Sequence, residues 1–190
     1  MTVQESALGE ALTYEDYLPI DLRQVSEFPD AVRLNGLNSD TEEVLHSILL
    51  LERQHVDPAD EDSDRLSGEL SYIDFKLNIL LDLMVKVYAN QLNIPPDLHI
   101  YLSSTGLRCE STFAATVGDK ICVDVYLSRR FPRPVIFFGT IVKCQQTDGE
   151  DQRLIDMQFE DMSQPVCDLL ERFIFLKHRR MIASAKRTSG

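Results

Sequence analysis

Three groups of residues have types and spacings that could do chemistry. The first is Cys109, Cys122, Cys144 and Cys167 with His46, His55, His99 and His178, the side chains that could hold a metal or form disulfides. A structural zinc site gathers four such ligands, commonly with two cysteines close in sequence. Here there is no CxxC pair, each cysteine stands in an apolar context, and no histidine falls beside one at ligand spacing. Buried free thiols in a reducing compartment are therefore expected, with no metal and no bridge. The second group is Arg129, Arg130 and Arg133 in the run RRFPR. Guanidinium forks match phosphate oxygens at two points, which makes this run a candidate anion site, although a solvated basic turn beside Pro132 and Pro134 is the preferred reading. The third is the stretch YLSSTG, Tyr101 to Gly106, where Ser103 and Gly106 could either offer a hydroxyl and close backbone approach to a ligand or simply close a hairpin.

Nothing assembles a catalytic constellation. GxSxG, the P-loop and GxGxxG are all missing, and no carboxylate or histidine falls in a pattern that pairs an acid with a base. No catalytic residue is assigned, and a non-enzyme is expected. Charge narrows the partners. Up to Arg65 there are 16 acidic and 4 basic residues, which accounts for the whole net charge of −12, while the remainder is balanced. Such a field repels phosphate backbones and anionic membrane surfaces. The arginines and aromatics between Arg129 and Phe138 leave a small β-barrel nucleic-acid binder as a distant alternative. The N-terminus has neither a basic region nor an apolar run, and no segment reaches the ~18 uninterrupted apolar residues of a membrane span. A soluble, cytoplasmic protein is expected.

The elements that must position these groups follow from periodicity. Residues 1–38 mix acids, Pro19 and Pro29 with Tyr14, Tyr17, Leu18, Ile20 and Phe28 without a sustained period, as in an acidic extended arm that docks its aromatics, with disorder as the alternative. Ser39 with Glu42 forms a capping box that would open a first helix, with Val44, Ile48, Leu51 and His55 along one face and Leu45 and Leu49 widening it. Pro58 ends it. A second helix is expected from Leu66 to about Leu92, before Pro95 and Pro96. Leu66, Leu70, Ile73, Leu77, Leu80, Met84 and Val87 recur at spacings of four and three without a slip. In the one heptad register that fits, Leu70, Leu77 and Met84 take position a and the others position d, a choice that leans to three or four strands over two. At 1.5 Å per residue such a helix is roughly 40 Å long, more than the first helix can cover. Self-association is expected, as a homotetramer. A second stripe, Leu81, Val85, Tyr88 and Leu92, gives the later half another partner.

After Pro96 the period changes to two. HIYLS, LRCES, KICVDVYLS, PVIFFGTIVKC and RLIDMQFED alternate between turn signals, as in an antiparallel meander closing into a small barrel. Ser163 caps a last helix whose face is Val166, Leu169, Leu170, Phe173 and Leu176. The fold class is thus α+β: a helical oligomerisation region over 39–94, then a barrel with a terminal helix over 95–187.

The order YLSSTGLRC, VDVYL, VIFFGTIV with Gly139, DMQFED and DLLERFIFLKHRR resembles a PilZ domain, the bacterial module of cyclic di-GMP signalling. With the heptad helix in front, it is similar to the atypical, self-associating PilZ proteins of xanthomonads. The resemblance implies a ligand site made of an RxxxR pair on a loop before the barrel and a [DN]xSxxG turn. Ser103 and Gly106 match that turn, whereas Tyr101 stands where Asp or Asn belongs, and no arginine occurs between Arg65 and Arg108. The RxxxR spacing of Arg129 and Arg133 falls after the serine motif, where the family's loop does not. The expectation is an adaptor acting on other signalling proteins, without a cofactor and with the cyclic di-GMP site degenerate at Tyr101, Ser103 and Gly106. The alternative is a receptor with a displaced site at Arg129, Arg133 or the C-terminal Arg179 and Arg180.

Overall fold

The computed structural model describes residues 12–53, 73, 75–77, 79–81, 83–84, 87, 93–147 and 152–188, with side chains as far as 183. Its centre is a closed, wholly antiparallel six-stranded barrel. The strands are β1 (Tyr14–Val25), β2 (Asp97–Leu102), β3 (Gly106–Ser111), β4 (Lys120–Val125), β5 (Val135–Gln146) and β6 (Arg153–Glu160), arranged around the barrel as β1-β2-β3-β6-β5-β4. Two helices flank it, α1 (Ala31–Arg53) and α2 (Gln164–Thr188). Five of the strands coincide with the five alternating stretches of the sequence.

The sixth corrects the reading of residues 1–38 as an arm separate from the barrel. Tyr14–Pro19 pairs with β2, and Ile20–Val25 pairs with β4, so one strand closes the barrel by changing partners midway. Pro19 sits at the handover. It has no amide hydrogen to donate, and its carbonyl accepts from the Tyr126 amide at 3.1 Å while the Ile20 amide reaches the Pro96 carbonyl. A strand split between two partners shows no unbroken alternation, which is why period alone missed it.

The expected start of α1 also moves. The helix begins eight residues before Ser39, at Ala31, because the Asp30 carboxylate accepts from the Arg33 amide at 2.9 Å and caps the first turn. Ser39 is an exposed residue inside the helix. Val44, Leu45, Ile48 and Leu49 are buried. Thr41 docks α1 on the barrel, its hydroxyl lying 3.3 Å from both the amide and the carbonyl of Ile136. Asn38 reaches the far junction, donating to the Asp161 carbonyl at 3.1 Å and accepting from the Ser163 amide at 3.4 Å. It thereby braces the turn where Asp161 adopts a φ of 57°.

Inside the barrel the alternation is kept. Ile100, Leu102, Leu107, Phe137 and Met157 point inward and are almost fully buried, each contributing roughly 1.5–3 kcal/mol of burial free energy. Gly139 lets β5 and β6 approach: a Cβ there would stand 2.1 Å from the Gln158 carbonyl oxygen. α2 places Val166, Leu170, Phe173 and Ile174 in the same core, with Phe173 meeting Tyr14 edge to face at 5.7 Å. Glu52 of α1 bridges to α2 through Lys177 at 2.9 Å and through Arg180.

The described residues between 73 and 87 are helical, and all are exposed. Ile73, Leu77, Leu80, Met84 and Val87 are among them, as is Leu81 of the second stripe. Leu66, Leu70, Val85, Tyr88 and Leu92 lie outside the described residues, as does His55.

Candidate functional site

The turn joining β2 to β3 is built around one buried hydroxyl. Ser103 is fully inaccessible, and its Oγ accepts from the amides of Thr105 at 3.2 Å and Gly106 at 3.1 Å. Its own amide donates to the Gly106 carbonyl at 2.9 Å, and the Thr105 carbonyl accepts from Phe159 on β6 at 2.9 Å. A serine here satisfies the buried Gly106 amide, which would otherwise lack this partner. Both motif residues, Ser103 and Gly106, therefore serve the hairpin. Gly106 has no left-handed φ; among the described glycines that conformation belongs to Gly118, at 95°.

Tyr101 lies two residues before Ser103 on β2, pointing outward. The register sets it opposite Glu15 on β1 and Arg108 on β3, and sets His99 opposite Tyr17. The three rings form a row: Tyr17 stacks on His99 at 4.8 Å with an interplanar angle of 17°, and Tyr101 tilts against His99 at 5.0 Å. Carboxylates border the row. His99 Nε2 lies 2.9 Å from Glu15 Oε1, and Nδ1 lies 3.9 Å from Glu110 Oε1. Partial burial, the hydrogen bond to Glu15 and the charges of Glu15 and Glu110 together raise the Tyr101 phenol above its ordinary value. Arg108, the cation on this face, is held by Asp156 through Nε–Oδ1 at 2.6 Å and Nη2–Oδ2 at 2.8 Å. Those hydrogen bonds raise its pKa further, so it stays charged, with its fork engaged.

The arginine turn lies elsewhere. Arg129 bonds to Asp97 at 2.7 Å, at the start of β2, and the serine turn follows that strand's far end. At about 3.3 Å per residue the two are separated by roughly 20 Å. Arg133 stands 3.8 Å from Glu43 on α1, and the Arg130 amide donates to Ser128 Oγ. Arg129, Arg130 and Arg133 thus share one loop but do not converge on the Tyr101, Ser103 and Gly106 motif. The side chains that sequence reasoning overlooked are Glu15, Tyr17, His99 and Glu110. His99 was signalled by the alternation of HIYLS, but its β1 neighbours depend on a pairing across some eighty residues of chain.

Burial pushes the thiols of Cys109 and Cys122 up, to about 12 and about 11, with neighbouring carboxylates adding to the effect. All four cysteines are free. Among the described residues no group of histidines, cysteines and carboxylates could hold a metal ion, and no helix is long and apolar enough to cross a membrane.

Comparison with known proteins places this geometry. A search of curated proteins returns no match. Among solved structures, the chain resembles a tetrameric PilZ-domain protein of Xanthomonas campestris, described as self-assembled through an unusual helical bundle, with a TM-score of 0.72, 20% identity and 92% of each chain covered. The PilZ domain of YcgR from Escherichia coli, solved with cyclic di-GMP, matches 47% of this chain and 77% of its own at a TM-score of 0.39 and 17% identity. The inhibitor of motility of Bacillus subtilis matches 46% and 42% at 0.38 and 10% identity. A family model described as "Atypical PilZ domain, cyclic di-GMP receptor" matches residues 45–187, from the core of α1 through all the later strands to the end of α2. The chain belongs to the atypical PilZ domain family.

Proposed function

We propose that this protein is a non-catalytic adaptor in cyclic di-GMP-related signalling in the bacterial cytoplasm. In this reading it acts through contacts with other proteins, assembles with itself as a homotetramer, and has lost the family's usual dinucleotide site. The observation that carries the reading is the environment of Tyr101. Where the motif calls for a compact acceptor, there is a phenol hydrogen-bonded to Glu15, with the charge of Glu110 also acting on it and Arg108 opposite. A ligand with two phosphates needs cations at this face, and the guanidinium present, that of Arg108, is engaged by Asp156. These residues do not fit cyclic di-GMP.

Assembly is argued from the helical residues Ile73, Leu77, Leu80, Met84 and Val87, each more than half exposed in a single chain. A seam of this kind is stable in water only when a second surface covers it. The heptad register and the bundle described for the Xanthomonas campestris structure both favour further copies of the chain as that surface. The division of labour proposed is a helical oligomerisation region within 39–94 and a barrel with terminal helix over 95–187, to which β1 is added.

The second reading, a cyclic di-GMP receptor with a displaced site, is favoured by the description of the family model. Against it, Arg129, Arg133 and Arg180 each have a carboxylate partner, in Asp97, Glu43 and Glu52. Calorimetric titration with cyclic di-GMP of a sample whose mass in solution is known separates the two. The adaptor reading expects no binding at micromolar ligand. Sub-micromolar binding that Arg129→Ala abolishes would replace it with the receptor.

A further inference from the structure

The outer face of β1, β2 and β3 has the chemistry of a receiver of cations. Tyr17 is 61% exposed, although its ring is fixed by stacking on His99. Glu15 stands on the same side of β1 two residues earlier, about 7 Å along the strand, and its carboxylate reaches His99, the residue opposite Tyr17. Glu110 borders the opposite side of the row. The Glu15 side chain is 56% exposed and that of Glu110 41%. An exposed flat ring beside carboxylates suits a planar guanidinium, which can stack on a ring while its fork reaches an acidic oxygen. A compact ammonium meets the charge but gains less from the stack.

We propose that the face formed by Glu15, Tyr17, His99, Tyr101 and Glu110 is a docking site for an arginine-bearing segment of a partner protein. This rests on the reading of the face as one that no longer takes cyclic di-GMP, and gives that adaptor its contact surface. Charge complementarity selects the occupant, because the same carboxylates repel phosphates of dinucleotides and nucleic acids. A second copy of this chain, whose Arg129 and Arg133 are paired with Asp97 and Glu43, is the other occupant that the test separates.

The test is a fluorescence-anisotropy titration of the full chain with a labelled glycine-arginine pentapeptide and its lysine counterpart, at low and physiological salt. The expected result is saturable binding of the arginine peptide, about fivefold tighter than the lysine peptide. Tyr17→Ala should remove that difference, Tyr17→Phe should keep it, and Glu110→Gln should weaken both peptides. Equal affinity for the two peptides, unchanged in Tyr17→Ala, would reduce the effect to general attraction by the acidic N-terminal third and overturn the proposal, as would failure to saturate. If Tyr17→Ala instead lowers the mass of the assembly, the face belongs to a second copy and the partner proposal fails. Cyclic di-GMP provides the separate control. Displacement of the peptide by the dinucleotide would sink the lost-site reading, whereas absence of binding by both would sink the docking site alone.

Discussion

Arg108 on β3 and Asp156 on β6 form a two-point ion pair whose carboxylate is 1% exposed, on the outer face of the barrel beside Tyr101. The register sets the two residues directly opposite each other, so neither backbone has to adjust for the pair to form. Asp156 interrupts an otherwise apolar run in β6, between Ile155 and Met157, and its burial is tolerable only because both carboxylate oxygens have a donor.

Removing one partner should therefore cost more than removing both. Arg108→Leu is expected to lower unfolding stability by about 3 kcal/mol, by leaving a buried carboxylate without its cation. The double variant Arg108→Leu with Asp156→Leu should recover most of that loss. Urea denaturation of the four proteins of the cycle reads the coupling directly, and equal losses in the single and double variants would show that the pair acts independently of charge.

Two glycines make a matched pair of opposite sign. Gly139→Ala drives a methyl group into the Gln158 carbonyl oxygen and the Met157 side chain, in a strand that cannot retreat without opening the β5 and β6 pairing. A loss of about 3 kcal/mol or failure to fold is expected. Gly36→Ala lies inside α1 with nothing within 4 Å of the new methyl, and should stabilise by about 1 kcal/mol through helix propensity. Thermal unfolding of both variants checks the contrast.

An element is legible in the sequence when the contacts that govern it are local. The alternation of HIYLS and RLIDMQFED needs only neighbouring residues, so β2 and β6 were legible, and so was the four-and-three recurrence from Ile73 to Val87. β1 was not, because Pro19 divides it between two partners and its acids mask the inward residues Leu18 and Ile20. The start of α1 was hidden by Asn35, Gly36 and Asn38, which look like breakers; Asn38 is instead the clamp on Asp161 and Ser163. At the candidate site the sequence exposed what Tyr101 replaces, but not what surrounds it. The row Tyr17, His99 and Tyr101 exists only once β1 is laid beside β2.

The exposed seam predicts a change of mass. Leu77→Glu and Leu80→Glu put charges at adjacent a and d positions, where assembly would bury them at a cost of several kcal/mol per chain. Light scattering should show the assembly falling to a single chain for the double variant. Phe75→Glu, at the outward f position of the same register, should leave the mass unchanged although Phe75 is equally exposed. A wild-type protein that runs as a monomer at micromolar concentration would refute the seam.

Cys109 predicts an alkaline weakening of the fold. Burial, reinforced by the charges of Asp156 and Glu110, raises its thiol from 9.0 to about 12. The folded state therefore holds its proton more tightly than the unfolded chain, and the corresponding stability is fully present below pH 9. As pH rises from 9 towards 12 the unfolded chain loses that proton first, so stability should fall by up to about 1.4 kcal/mol per pH unit from this group. The buried Cys122 thiol and Tyr14 are shifted in the same direction, so the measurement is a difference: urea unfolding of the wild type and Cys109→Ala across pH 8 to 11. The variant should start lower, from the lost packing, and decline less steeply above pH 9. Parallel curves would mean that the thiol is solvated or already ionised in the fold, against its position at the interior face of β3, opposite Ile100 and Ile155.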